Sequence, residues 1–215
     1  MSPHHDARNR LCFITKYRLI VMLIVALISC ISASVAMGDA PASKGSGEAL
    51  TPAQAKSMTP CFYNAEMVVR IAQAKSGGLT HEAATQRVQP PNAQIQAIID
   101  AVYAASFDNA WNYTVQDYEA CARRSTDASL KLIKTTEFCM QNGLISDSAA
   151  SARQLGITKD KVYDRYKQFL AEPMARMAID SVYAEDKLDG RESWRTYSWC
   201  IGLVTHYPGQ TAAGN

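Results

Sequence analysis

Histidine is nearly missing from this chain. Four occur in 215 residues, and past the first 36 only His81 and His206 remain. A histidine metal centre, or a serine or cysteine nucleophile activated by histidine, has little to draw on. No C-x-x-C spacing occurs, so neither a thiolate metal site nor a c-type haem attachment is indicated. G-x-S-x-G, H-E-x-x-H, the phosphate loop and the dinucleotide fingerprint are also missing. The sequence therefore names no cofactor, no metal ligand set and no catalytic residue. Strand signals are scarce too, with no hairpin dipeptide flanked by alternating apolar residues. Charge of one sign is not in excess: 22 Lys and Arg face 20 Asp and Glu. Without residues 1–36, which hold four basic groups and Asp6, 18 basic residues face 19 acidic ones. No basic stripe exists, so nucleic acid is a poor partner.

What is present begins with an apolar run. Arg8, Arg10, Lys16 and Arg18 precede Leu19–Ser29, which carries no charge, the layout of a signal peptide. Residues 1–36 read as a signal peptide or membrane anchor with three fates. Ser34-Val35-Ala36 resembles a cleavage site that releases a soluble protein. Leu27-Ile28-Ser29-Cys30 resembles a lipobox that leaves Cys30 lipidated. Uncleaved, Leu19–Met37 is just long enough to span a bilayer core of about 30 Å. Each fate places residues 41–215 outside the cytoplasm, in the periplasm or on the envelope, with membrane contact only through this segment or the lipid.

The rest of the chain says one thing twice. Cys61, Gly78-Leu79-Thr80, Ile99-Asp100-Ala101-Val102-Tyr103 and Tyr118-x-x-Cys121 recur as Cys139, Gly156-Ile157-Thr158, Ile179-Asp180-Ser181-Val182-Tyr183 and Tyr197-x-x-Cys200. The offsets are 78, 80 and 79 residues. Such self-similarity is the signature of an internal repeat. Beyond the leader, which holds Cys12 and Cys30, four cysteines remain. An even set in an exported chain reads as a disulfide framework with three possible pairings. The repeat selects Cys61–Cys121 and Cys139–Cys200, since each copy holds one cysteine at either end. Free or metal-bound thiols are the alternative.

Composition then sets the expected organisation. Residues 37–60 are small, polar and proline- and glycine-containing, and read as a flexible linker. Residues 61–125 form a first helical repeat, 126–138 a connector, 139–207 a second repeat and 208–215 a disordered tail. In the first copy helices are expected over 61–75, from Thr80 to about 89 where Pro90-Pro91 stops the chain, over 93–105 and over 115–123. The second copy predicts helices near 137–155, 158–171, 174–186 and 191–206. The fold class is all-α: two pseudo-symmetric repeats of about four short helices, each stapled by a disulfide.

Two groups of residues are candidates for function. Asp100 and Asp180 are carboxylates in apolar helical segments, one helical turn from Tyr103 and Tyr183. Two-fold pseudo-symmetry would bring these four into one inter-repeat cleft, whereas a helix cap or interhelix bond repeated with the fold is the plainer reading. Trp111, Tyr113, Trp194 and Trp199 do not superpose between copies, and unrepeated aromatics are candidates for a binding surface, or for burial. Asn112-Tyr113-Thr114 is a glycosylation sequon of consequence only in a eukaryotic secretory pathway.

The pattern carried by Cys61, Lys75, Gly78, Val102, Tyr103 and Cys121, and again by Cys139, Arg153, Gly156, Val182, Tyr183 and Cys200, resembles a family of small exported proteins of proteobacteria with paired cysteines. The resemblance covers most of residues 61–200 and implies export and a helical fold, but no activity. Immunity proteins and plant-type invertase inhibitors share helices plus disulfides with different cysteine spacing, and are analogies only. The expected function is a non-enzymatic binding or inhibitor module of the cell envelope, with a protein or cell-wall component as partner. A small-ligand binder or enzyme using a cleft between the repeats, and a structural or stress-tolerance protein, are the alternatives.

Overall fold

A computed structural model describes residues 48–88 and 92–206. The segments read as a leader with Cys30, as a linker before residue 48 and as a tail, together with Pro90-Pro91, lie outside the described residues. Among those described there are eight α-helices and no strand: α1 Pro52–Ser76, α2 His81–Gln86, α3 Ala93–Ala104, α4 Ala110–Ser125, α5 Leu130–Gln154, α6 Lys159–Arg165, α7 Pro173–Ala184 and α8 Glu192–His206. A single 3₁₀ turn, Lys167–Phe169, follows α6.

The linker reading fails from residue 51 onward. Thr51 caps α1: its hydroxyl accepts from Gln54 N at 3.2 Å while the Gln54 side chain accepts from Thr51 N at 3.0 Å. This reciprocal capping box, with Pro52 in the first turn, starts a 25-residue helix nine residues before Cys61. Leu50 just before the cap and Met58 inside the helix are fully buried, so this stretch has core to join. The connector is likewise mostly helix. Ser129 caps α5, which begins at Leu130 and runs 25 residues. The two long helices are therefore not short units. Conversely, the helix expected over 158–171 breaks after Arg165.

Both long helices stop in the same chemical way. Gly78 and Gly156 adopt φ of 86° and 72°, a left-handed conformation that glycine accepts without steric cost. Gly78 N bonds Lys75 O and Leu79 N bonds Ala74 O; Gly156 N bonds Arg153 O and Ile157 N bonds Ala152 O. These are Schellman closures of α1 and α5.

Three apolar clusters hold the body together. The central one draws Phe62, Tyr118, Met140, Leu144 and Tyr197 from α1, α4, α5 and α8. The most extensive helix packing is α5 on α8 and α1 on α4. Both disulfides, Cys61–Cys121 and Cys139–Cys200, sit in this central cluster. Disulfides persist in oxidising compartments, which places the described body outside a reducing cytoplasm. No described helix is long and apolar enough to cross a membrane. A second cluster joins α1 to α2 and α3 through Ala72, Ile99 and Val102. The third joins α5 to α6 and α7 through Ala149, Val162 and Ile179. The architecture is thus a four-helix frame flanked by two small helix pairs.

Phe62 anchors the frame. Its ring stacks on Tyr197 with centroids 4.0 Å apart and planes 8° from parallel. It can do so because residue 143 has no side chain: a Cβ there would lie 2.7 Å from the Phe62 ring.

Candidate functional site

The four residues expected in a shared cleft are not brought together. Asp100 accepts from Gln96 Nε2 at 2.8 Å and meets His81 Nε2 at 2.7 Å, which ties α2 to α3. Those bonds, Gln96 first, hold the exposed carboxylate below its ordinary pKa. Tyr103 donates to Leu79 O at 2.7 Å. Asp180 accepts from the Tyr163 hydroxyl at 2.5 Å and from Lys159 Nζ at 2.9 Å, tying α6 to α7. Partial burial pushes this acid up, but the two bonds and the Lys159 charge outweigh it and its pKa falls. Tyr183 donates to Ile157 O at 2.6 Å. Each pair is used inside its own flanking helix group, so a cleft lined by all four does not form. The plainer reading, interhelix bonding, is what these side chains do.

The aromatic candidates also separate. Trp111 is half-buried beside Tyr166 and Phe169, and donates from Nε1 to Gln141 Oε1 at 3.2 Å. Tyr113 stacks on Phe107, with centroids 4.6 Å apart, in the cluster of α1–α3. Trp194 stacks on Tyr63 at 5.4 Å over the central core. Trp199 alone of the four is largely exposed, at 48%, and with Met174 and Met177 lines a shallow apolar groove of about 210 Å³ between α7 and α8. They form no single surface.

The structure instead opens a groove between α1 and α5, of about 520 Å³. Arg70 and Gln73 come from α1, three residues apart and so on one face. Asp147, Ser148, Ser151 and Gln154 come from one face of α5. Trp111 and Tyr166 supply aromatic wall. Arg70 donates to Asp147 across the groove at 2.8 Å. The pair is partly exposed, so it contributes little to stability and leaves donors and acceptors facing solvent. Burial pushes the Tyr166 phenol up, against a bond from Ser148. Glu66, one turn before Arg70 on α1, is bonded by the Ser193 hydroxyl of α8. Burial raises its pKa, and the Asp147 charge raises it further, against the Ser193 bond and the Arg70 charge.

This is one cation and one anion among amides, hydroxyls and aromatic faces, a lining suited to a polar ligand of low net charge with some flat apolar surface. Sequence reading overlooked Glu66, Arg70 and Asp147. The signal available was the four-residue spacing of Glu66 and Arg70 on a helix with an apolar opposite face.

A second groove of about 290 Å³ lies between α1, α3 and α4, lined by Val68, Gln94, Ile98, Tyr113, Asp117 and Arg124, among others. Among the described residues no cluster of three or more His, Cys, Asp and Glu could hold a metal ion. Comparison with known proteins gave no match: no family model, no curated protein sequence and no solved structure is similar to this chain.

Proposed function

We propose that the chain is an exported binding module of the cell envelope, whose groove between α1 and α5 takes a polar cell-wall component. The observation that carries this reading is the Arg70–Asp147 pair set among Gln73, Ser148, Ser151 and Gln154, with Trp111 and Tyr166 beside it. A glycan offers hydroxyl and acetamido groups to such side chains and a carbon face to the rings. The disulfides support the exported location, since they require an oxidising compartment. They also support a preorganised site, because the helices bearing it are fixed before ligand arrives.

The proposal includes a duplicated origin for residues 61–121 and 139–200, and kinship with the small exported proteins the sequence resembles. Support for duplication comes from matched details. The disulfides close separations of 60 and 61 residues. Lys75 donates to Val102 O, Tyr103 O and Ala105 O at the end of α3, while Arg153 donates to Val182 O near the end of α7. A cation at a helix C-terminus is favoured by the helix dipole, so the fold reuses one device in two places.

An enzymatic reading has one observation in its favour, at a residue beside this groove rather than in its lining. Glu66, one turn from Arg70 and bonded by Ser193, is held above its ordinary pKa chiefly by burial, as the proton-donating acid of a glycoside hydrolase is.

Co-sedimentation with purified insoluble cell wall separates these readings. Binding that is lost in Arg70→Gln and Asp147→Asn, with no soluble fragments released, is the expected result. Release of reducing sugar that stops in Glu66→Gln would establish the enzymatic reading. Failure of the wild-type protein to sediment would overturn both.

A further inference from the structure

Asp117 and Arg124 stand seven residues apart on α4 and line the groove between α1, α3 and α4. Neither side chain makes a hydrogen bond or an ion pair within 4 Å among the described residues, though Asp117 lies in the field of Arg124. Seven residues are two helical turns, about 10 Å of rise, so both charges sit on one face with room between them. The same groove is lined by apolar Val68, Ile98 and Ala101 and by Gln94, which donates to Asn64 Oδ1.

The charges at these two positions are particular to this half of the chain. In the proposed duplicate the matching positions, 79 residues on, are Thr196 and Leu203. The matching groove between α7 and α8 is lined by Met174, Met177, Thr196 and Trp199, and its charges, Glu185, Glu192 and Arg195, are paired with one another. Asp117 is moreover poorly accommodated when empty: burial raises its pKa, and the Arg124 charge only partly opposes that. A half-buried carboxylate without a hydrogen bond is a cost to the free protein that a cationic ligand group removes.

We infer that this groove binds a free α-amino acid with an apolar side chain, its ammonium group on Asp117 and its carboxylate on Arg124. Opposite charges on a single groove, unpaired with each other, match a zwitterion, and the apolar lining takes the side chain. The site is separate from the groove between α1 and α5 and stands or falls without it.

The test is calorimetric titration of the purified oxidised protein with L-valine, L-leucine, L-methionine and L-phenylalanine. Each is paired with its amide, which lacks the carboxylate, and its deaminated acid, which lacks the ammonium. At least one amino acid is expected to bind with a Kd of ~1 mM or tighter. Either truncated analogue, Asp117→Asn or Arg124→Gln should weaken that binding by at least about tenfold. Asp117→Asn should melt no lower than wild type, which separates loss of binding from loss of fold. Absence of binding by all four amino acids overturns the inference. So does binding that survives both substitutions.

Discussion

Tyr118 and Tyr197 each stand three residues before a disulfide cysteine, and both bury their phenols completely in the central core, where the two hydroxyls are neighbours but neither makes a well-formed hydrogen bond. Burial pushes both phenols above their ordinary pKa, Tyr197 the further of the two, and at Tyr197 the neighbouring Tyr118 adds to the effect. An acid whose folded pKa is raised holds its proton in the folded state after the unfolded chain has lost it. Stability is therefore full below the unfolded tyrosine value of about 10 and falls as pH rises through it. We expect phenolate absorbance for these two side chains to appear only with unfolding. A Tyr118→Phe, Tyr197→Phe protein should resist alkali better than wild type. An alkaline transition in which phenolate forms while far-UV dichroism stays native would contradict this.

Gly143→Ala should destabilise the protein although it improves helix propensity. The new methyl would meet the Phe62 ring at 2.7 Å and the Ser193 carbonyl oxygen at 3.2 Å, and Phe62 is held by its stack on Tyr197. Overpacking of this kind costs about 1–3 kcal/mol, against a propensity gain of about 1 kcal/mol. A net loss of roughly 1 kcal/mol in urea unfolding is expected, with a Phe62→Leu background removing most of it.

Replacing either cystine by a pair of alanines should cost about 4 kcal/mol, the chain-entropy value for loops of this length. With a typical total of 5–15 kcal/mol, the protein lacking both should be close to unfolded at neutral pH. Denaturant midpoints of the two single-cystine proteins and of the fully reduced protein measure this directly. A reduced protein as stable as the oxidised one would overturn it.

Asp100→Asn and Asp180→Asn should weaken the attachment of the flanking helices without affecting ligand capture. Both carboxylates have lowered pKa values in the folded protein, so their contribution is present above the ordinary carboxylate range and is lost as pH falls through the folded values. The variants should therefore differ from wild type at neutral pH and converge with it in strong acid. Thermal melts across pH check the sign.

Local chemistry was legible in the sequence. Gly78 and Gly156 mark helix ends because few other residues accept their backbone angles, and the cysteine pairing followed from positions at the ends of each segment. The start of α1 was not legible from composition: residues 48–58 look like linker, and only the Thr51–Gln54 box and the buried Leu50 reveal the helix. The groove was still less legible. Arg70 and Asp147 lie 77 residues apart, and which helix faces meet is decided by packing rather than by local pattern. Asp100 and Asp180 drew attention as lone carboxylates, but their partners come from short helices whose docking no single-segment reading supplies.

The placement of the two cystines has a topological consequence. Each covalent ring begins and ends in the four-helix frame, and α2–α3 or α6–α7 lies on the arc between. A flanking pair can therefore open, exchange its amide protons or accumulate substitutions while the ends of its arc stay fixed. Slow hydrogen exchange should map to α1, α4, α5 and α8 and faster exchange to the arcs, the hierarchy expected of separate cooperative units. The clasped ends keep the four frame helices, and with them the groove between α1 and α5, in register while the arcs move.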